Sequence, residues 1–341
     1  MSTSFDAAVL IGRFQPFHNG HAALLRAALA QAGRAIVVPG SAFRARNARN
    51  PFTWEERTAM IRASLDEADA RRVAFVPVRD YYDDRRWAAA VKAGVRAALE
   101  KPDIDAPRIA LVGFHKDASS DYLSLFPDWS FVALDRQGAF DATEVRQLYF
   151  GATSAQASLQ DFVPPAVARY LKSWAALPAF AAMRDEHQAI AAYKKKWGTG
   201  PFVTLDAVVT AAEHLLLVRR GSAPGKDLWA LPGGFLEGRE RLRDGAVREL
   251  KEETGLDVSD AAGLAALREV AVFDHPDRSQ RGRIITHAHW FDLPLATLPA
   301  VAGADDAAEA RWFPLAALPA MEAELFEDHF SIITRFLNTA P

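Results

Sequence analysis

The chain has no cysteine. That excludes disulfides, thiolate metal sites and cysteine nucleophiles, and it fits a reducing compartment such as the cytoplasm. It also lacks any run of about 18 apolar residues, so no segment is expected to span a membrane. The opening "MSTSFDAAVLIG" has neither a basic start nor a long apolar stretch, so it does not read as a signal peptide. Positive charge is not in excess: 40 Lys and Arg stand against 43 Asp and Glu, for a net charge of −3. The global basic footprint of a nucleic-acid binder is therefore missing. No internal repeat is visible. What remains is ordinary globular composition, 50% hydrophobic and 24% charged. At roughly 150 residues per domain, 341 residues suggest two domains.

The first half alternates short apolar runs with helical patterns. "AAVLIG" (7–12), "RAIVVPGS" (34–41), "RVAFVPV", "RIALVGF" and "SFVALD" read as strands. "HAALLRAALAQAG", "TWEERTAMIRASLDEA" and "DRRWAAAVKAGVRAALE" read as helices, the second opening on a Thr53–Glu56 capping box. Nearly continuous apolar strands between helices predict a parallel sheet covered on both faces. From Pro164 to Trp197 the chain reads as helical, and "YKKKWGTG" (193–200) looks like a linker. Beyond it, four strand-like runs surround one strong helix near 241–254, an α+β pattern. The expected division is 1–185, a linker over 186–200, and 201–341.

Ligands of open parallel sheets bind beyond the carboxyl ends of the strands. "GRFQPFHNGH" lies there, after the first strand and at the start of a helix. A helix N-terminus offers unpaired N–H groups and a positive dipole end, which favour phosphate. His18 and His21 add donors and Arg13 a fixed charge, while Gly12 and Gly20 let backbone approach a ligand. The stretch is neither a P-loop, which needs GK[ST], nor a dinucleotide GxGxxG. A helix-capping His beside a surface His is the bland alternative. A second element, "TEVR" from Thr143 to Arg146, opens a helix after the last strand of the same half.

HxGH followed late by T-x-x-R resembles the nucleotidyltransferases. With "NPFTWEER", "VPVRDYYDDRRW" and "LVGFHKDASSDYLSLFPDW", residues 7 to about 150 resemble nicotinamide mononucleotide (NMN) adenylyltransferases. The resemblance implies a Rossmann-like nucleotidyltransferase fold, with ATP and NMN as substrates. His18 and His21 would hold phosphates, and Arg13 and Arg146 would neutralise the departing pyrophosphate, with Thr143 beside them. Gly12, Phe14, Asn50, Asp80, Trp87, Gly113, Lys116 and Asp117 fall at ligand-side positions. Trp87 resembles the nicotinamide-stacking tryptophan, and its spacing equally fits a core position on an amphipathic helix. Asp80 could accept from the carboxamide or cap a turn. Asn47, Arg49 and Asn50 could contact ligand or belong to a polar loop. One departure is visible: the late motif usually reads I-S-x-T-x-x-R, and here Asp141 stands in place of the serine.

"GGFLEGRERLRDGAVRELKEETGL" matches every fixed position of the Nudix box, through Gly234, Glu240, Arg248, Glu249, Leu250, Glu252, Glu253, Gly255 and Leu256. Glu249, Glu252 and Glu253 fall on one helix face. Three crowded carboxylates repel one another, and a hard oxygen-binding cation removes that penalty, so they read as a Mg²⁺ or Mn²⁺ site. The match implies an α+β Nudix domain in which Arg248 orients Glu249, Glu253 is catalytic, and the Gly233 carbonyl reaches the metal. A general base is expected on a later loop, where "GADDAAEARWF" offers Asp305, Asp306 and Glu309. Arg278, Arg281 and Arg283 lie close enough to receive a diphosphate, or form a charged hairpin tip.

Across both halves the chain resembles bacterial bifunctional enzymes that join an NMN adenylyltransferase to a Nudix domain hydrolysing ADP-ribose. The expected partners are small molecules, ATP, NMN and ADP-ribose, with no nucleic acid and no membrane; a homo-oligomer is compatible with this reading. Three alternatives stay open: a pantetheine-phosphate adenylyltransferase, a DNA-binding regulator whose Nudix domain senses ADP-ribose, and a Nudix domain that clears oxidised nucleotides.

Overall fold

The computed structural model describes residues 4–99, 106–114, 124–135, 141–151 and 159–338. The chain divides into two compact units, Met1–Arg184 and Asp185–Pro341.

In the first unit β1 (Ala7–Gly12), α1 (Asn19–Gln31), β2 (Ala35–Pro39), α2 (Trp54–Ala63), α3 (Glu67–Ala70), β3 (Val73–Phe75), α4 (Asp84–Ala98), β4 (Ile109–Phe114), β5 (Ser130–Leu134), α5 (Ala142–Phe150) and α6 (Pro165–Trp174) follow one another. The strands pair in the order β3-β2-β1-β4-β5, all parallel. Strand side chains alternate between faces. Ala8 and Leu10 pack with Leu25, Ala28 and Leu29 of α1 on one face. Ala7 and Val9 pack with Val91 and Val95 of α4 on the other. That double burial is why the central strands β1, β2 and β4 are apolar nearly throughout, and why this half is the Rossmann-like α/β sheet expected. The strand order reverses between β1 and β4, so the stretch after β1 lies at the switch point where such sheets bind ligands.

Helix α7 (Pro178–Trp197) carries the unit boundary. Residues 186–200, expected as a linker, are therefore helical as far as Trp197. Glu186 and Ile190 are buried and Tyr193 half-buried, at the i, i+4, i+7 spacing of one helix face. The following lysine run, 194–196, masks that face in the sequence.

The second unit continues with β6 (Phe202–Ala211), β7 (His214–Arg220), β8 (Trp229–Ala230), β9 (Gly233–Phe235), α8 (Leu242–Thr254), α9 (Ala261–Ala265), β10 (Leu267–Phe273), β11 (Ile284–Leu293), β12 (Ala307–Pro314) and α10 (His329–Leu337). Its mixed sheet runs β10-β11-β6-β7-β12, with β9 against β6 and β8 against β7. β11 and β6 are parallel over ten residue pairs. Leu250 on α8 is fully buried against Ala207, Val209 and Phe291. Glu253, one turn further along α8, is buried beside it and lines the cleft of this unit. Glu309, expected on a loop, lies in β12 and pairs across to Arg219. "AAEARWF" has no clean alternation, and its strand state comes from the long-range pairing with β7. Among the described residues no helix is long and apolar enough to cross a membrane.

Candidate active sites

The first site is built on the turn between β1 and α1. His18 is the N-cap of α1, and its Nδ1 accepts the Gly20 N–H at 3.1 Å. His21 closes the reciprocal bond, its Nδ1 accepting the His18 N–H at 3.4 Å. The two rings stack, centroids 3.7 Å apart. A neutral imidazole that accepts at Nδ1 carries its hydrogen on Nε2. Both rings are therefore oriented as Nε2–H donors. A Cβ at Gly20 would come within 3.0 Å of the His18 ring, so glycine leaves room for the cap. The Nδ1 atom that caps the helix leaves Nε2–H free of that task, so the capping and functional readings of the motif do not compete.

The late motif joins this turn directly. Arg146, 9% exposed, donates from Nη1 to the Gln15 carbonyl at 2.8 Å and from Nη2 to Thr143 Oγ1 at 3.4 Å. Its pKa is lowered to about 10, first by burial and then by the neighbouring charges of Arg13 and Arg49. Three cations near one another repel, a cost that a bound anion would relieve. Asp141, the departure from the family pattern, is the N-cap of α5, accepting from Thr143 N at 2.7 Å and Glu144 N at 3.1 Å. A carboxylate performs the capping task of the usual serine.

Other expected residues surround the turn. Asn50 is buried, and its Oδ1 has no hydrogen-bond partner among the described residues. A buried unpaired acceptor costs about 1–3 kcal/mol, so such an atom marks a place that a ligand donor would satisfy. Asn47 Oδ1 accepts from Arg49 N and Asn50 N, shaping that loop. Asp80 accepts from Ser41 Oγ at 2.8 Å and from Arg44 Nη1 at 3.1 Å. Trp87 is half-buried on α4, edge-on to Phe126 at 5.8 Å, and packs on the α4-side core. The Phe14 ring lies against Gly12, and Gly113 sits beside the Phe131 ring. Lys116 and Asp117 lie outside the described residues.

Sequence reasoning missed Arg57. It is fully buried and donates to the carbonyls of Arg13 (2.6 Å), Gly40 (2.7 Å) and Ser41 (3.3 Å). It thereby ties the ends of β1 and β2 together behind the phosphate turn. Burial lowers its pKa to about 10, opposed by the charge of Asp80. No local signal distinguishes it from a surface arginine of "WEER".

The second site lies along α8. Arg248 makes a two-bond fork to Glu240, at 3.0 and 2.8 Å, and also reaches Glu249 at 2.9 Å and Glu252 at 2.8 Å. Gly234 is required by contact, since a Cβ there would stand 2.5 Å from Glu249 Oε1. Gly255 caps α8, its N–H on the Lys251 carbonyl. Glu253 is 8% exposed and accepts the Gly233 N–H at 2.9 Å. Burial first, then the charges of Glu249 and Asp206, push its pKa up to about 8 despite that bond. The pKa of Glu249 is also raised by burial. Among the described residues no three acidic or imidazole groups converge on one point, because Arg248 holds Glu249 and Glu252. The donors are nonetheless all hard oxygens, and two of them carry negative charge that burial disfavours. That set fits a divalent cation.

Glu253 faces a cleft enclosing about 120 Å³, lined also by Asp206, Arg220, Arg278, Arg281, Asp306 and Glu327. Arg278, 4% exposed, is locked to Asp328 by two 2.9 Å bonds. Arg281 pairs with Glu327 at 3.3 Å. Arg283 turns instead to the carbonyl and carboxylate of Asp274. Glu309 pairs with Arg219 and Arg311, while Asp306 lines the cleft. Arg220, which sequence reasoning passed over, is half-buried and lines the cleft, 4.2 Å over the Phe326 ring.

These two constructions define a class: a nucleotide-phosphate enzyme with a nucleotidyltransferase sheet in one unit and a Nudix helix in the other. Residues 9–105 match the cytidylyltransferase-like family model and residues 200–336 the NUDIX domain model. A nicotinamide/nicotinic acid mononucleotide adenylyltransferase of Acinetobacter baylyi is 35% identical over 54% of this chain and 95% of its own length. An ADP-ribose pyrophosphatase of Methanocaldococcus jannaschii is 36% identical over 40% of this chain and 74% of its own. A solved bifunctional NMN adenylyltransferase/ADP ribose pyrophosphatase of Francisella tularensis superposes with a TM-score of 0.90 at 35% identity, covering 98% of this chain and 99% of that one. A second structure of that protein is complexed with AMP and a Mn ion. The chain belongs to the family of bifunctional NMN adenylyltransferase/ADP-ribose pyrophosphatases.

Proposed function

We propose that the chain makes NAD with its first unit and hydrolyses ADP-ribose with its second. The observation that carries this pairing is the likeness to the Francisella tularensis bifunctional enzyme over nearly the whole of both chains.

In the first reaction a phosphate oxygen of NMN bonds to the α-phosphorus of ATP, and the bond from that phosphorus to the bridging oxygen breaks, releasing pyrophosphate. The attacking phosphate is already an anion, so no general base is needed, and catalysis is positioning plus charge stabilisation. The Nε2–H groups of His18 and His21 donate to the phosphates. Arg146, braced on Gln15, and Arg13 neutralise the departing pyrophosphate, with Thr143 held beside Arg146. The unpaired Asn50 oxygen receives a donor from the nucleotide. Mg²⁺ bound with ATP supplies further charge on the phosphates.

In the second reaction water attacks a phosphorus of ADP-ribose and the phosphoanhydride bridge breaks, giving AMP and ribose 5-phosphate. Mg²⁺ or Mn²⁺ bound at this site polarises the diphosphate and lowers the pKa of water. Glu249, Glu252 and Glu253 hold it, with the Gly233 carbonyl, and Arg248 keeps Glu249 oriented. Arg220 and Arg281 would face the diphosphate, and Asp306, the one of the three candidate bases that lines the cleft, would take a proton from water.

Product analysis tests both halves. The purified chain with ATP and NMN should yield NAD and pyrophosphate. With ADP-ribose and a divalent cation it should yield AMP and ribose 5-phosphate. Absence of either product pair would reject that half of the assignment.

A further inference from the structure

Glu56, at the start of α2, makes more bonds than its place in the helix requires. It closes the capping box by accepting the Thr53 N–H at 2.9 Å, and that one bond completes the cap. Its two oxygens take further donors. The Arg46 guanidinium forks onto both, at 2.5 and 2.9 Å, and the Trp174 indole N–H, from α6, donates to one of them at 2.8 Å. Arg46 Nη1 also donates to the Pro51 carbonyl at 2.7 Å, and the guanidinium lies 5.7 Å over the Trp174 ring. Trp174 is buried and packs edge-on against Phe52, 4.8 Å between centroids.

These contacts converge on the loop between β2 and α2. The Arg46 side chain spans it from residue 46 to the carbonyl of residue 51, and Asn47 to Asn50 lie inside the span. Within it the backbones of Asn47 and Asn50 exchange hydrogen bonds, at 3.3 and 3.0 Å. Just beyond it the buried Gln15 side chain takes both backbone groups of Phe52, donating to its carbonyl at 2.7 Å and accepting its N–H at 3.0 Å. A connecting loop is ordinarily the mobile part of a domain. This one is closed at its base by polar bonds on two sides, and what it holds is the unpartnered Asn50 oxygen. An acceptor on a mobile loop contributes less to binding, because ordering the loop offsets part of the gain.

We propose that Arg46 and Glu56, backed by Trp174, are positioning residues for adenylyl transfer, holding the Asn50 loop preformed so that its oxygen meets the nucleotide. The proposal rests on the adenylyltransferase reading and deepens it: α6, which carries none of the sequence motifs, helps to set nucleotide affinity.

Steady-state adenylyl transfer by the full chain, with ATP and NMN varied in turn, tests this. Asn50→Ala should raise KM for one of the two nucleotides by roughly tenfold, the scale of one hydrogen bond. Arg46→Met and Glu56→Gln should raise KM for that same nucleotide by roughly three- to tenfold, and Trp174→Phe, which keeps a ring but loses the N–H, by roughly two- to threefold. kcat at saturation should stay within about twofold and reports a folded first unit. One ammonium cannot reproduce a fork onto both oxygens together with the bond to Pro51, so Arg46→Lys should behave as Arg46→Met. A double variant separates positioning from general stability: added to Asn50→Ala, Arg46→Met should change KM by less than about twofold. Should Arg46→Met fail to fold, Trp174→Phe in the same two backgrounds decides. Multiplied effects in the double variant, a wild-type KM in Arg46→Lys, or wild-type KM values in Asn50→Ala would overturn the brace while leaving NAD synthesis intact. A wild-type chain that makes no NAD would overturn the adenylyltransferase reading, and the brace with it.

Discussion

His18 and His21 lie ring on ring, 3.7 Å between centroids, each anchored at Nδ1 by a backbone N–H. One reciprocal pair of bonds at the first turn of α1 therefore sets the tautomer of both imidazoles. Substituting either by alanine should lower kcat for adenylyl transfer by roughly a hundredfold or more, the scale of losing one preorganised donor to developing charge. The two should differ in stability. His18→Ala also removes the N-cap, worth about 0.5–2 kcal/mol, and should lower the melting temperature of the first unit. His21→Ala should lower it less. Rate assays paired with thermal melts check both, and a His18→Ala protein with full activity would refute the assignment.

Arg57 should behave as a support of the same turn. Arg57→Ala removes three bonds to carbonyls, one of them buried and costing about 1–3 kcal/mol when unpaired, and should destabilise the first unit by about 2 kcal/mol. Denaturant unfolding measures this. An unchanged midpoint would mean that the carbonyls find other partners and that the turn does not depend on Arg57.

Glu253 gives the second unit a pH dependence of definite sign. Its folded pKa is raised from 4.5 to about 8 in the metal-free protein, so the folded state holds this proton more tightly than the unfolded chain. Its contribution to stability is present below about pH 4.5 and is lost as pH rises to about 8. Glu253→Gln removes that loss. Metal-free Glu253→Gln should therefore melt higher than metal-free wild type near pH 8, and the gap should close toward pH 5. Added Mn²⁺ should raise the wild-type melting temperature more than the mutant's, with affinity increasing with pH as the proton is displaced. The mutant should lose ADP-ribose hydrolysis and keep adenylyl transfer. A gap independent of pH would argue that Glu253 is not the buried acid.

The boundary between the units can be tested by truncation. Glu186 accepts the Gly225 N–H at 2.9 Å from within α7. A fragment over 185–341 should fold and hydrolyse ADP-ribose. One beginning at Tyr193 leaves that buried N–H unpaired and should be less stable by about 1–3 kcal/mol. Equal melting temperatures would show that residues 185–192 serve only as a connection.

By itself the sequence determined the elements whose signal is local. The central parallel strands are legible because both their faces are buried and their positions are nearly all apolar. The two motifs are legible because a phosphate turn and a helix face each need particular residues at fixed spacing within one short segment. What only the tertiary structure decided depends on burial and on partners far along the chain. Arg57 and Arg220 look like any surface arginine until the fold buries the first and stacks the second on Phe326. Arg278 and Arg281 differ by three positions, yet one is locked to Asp328 and the other stands at the rim of the cleft. Asp141 is only a departure from a motif in the sequence, and its place as the N-cap of α5 is seen in the structure. The segment containing Tyr193 read as a linker because its charge run is local, whereas the ring it faces, Phe235, lies 42 positions on in β9. A contact of that separation is set by how α7 and the sheet pack, which no window of sequence contains.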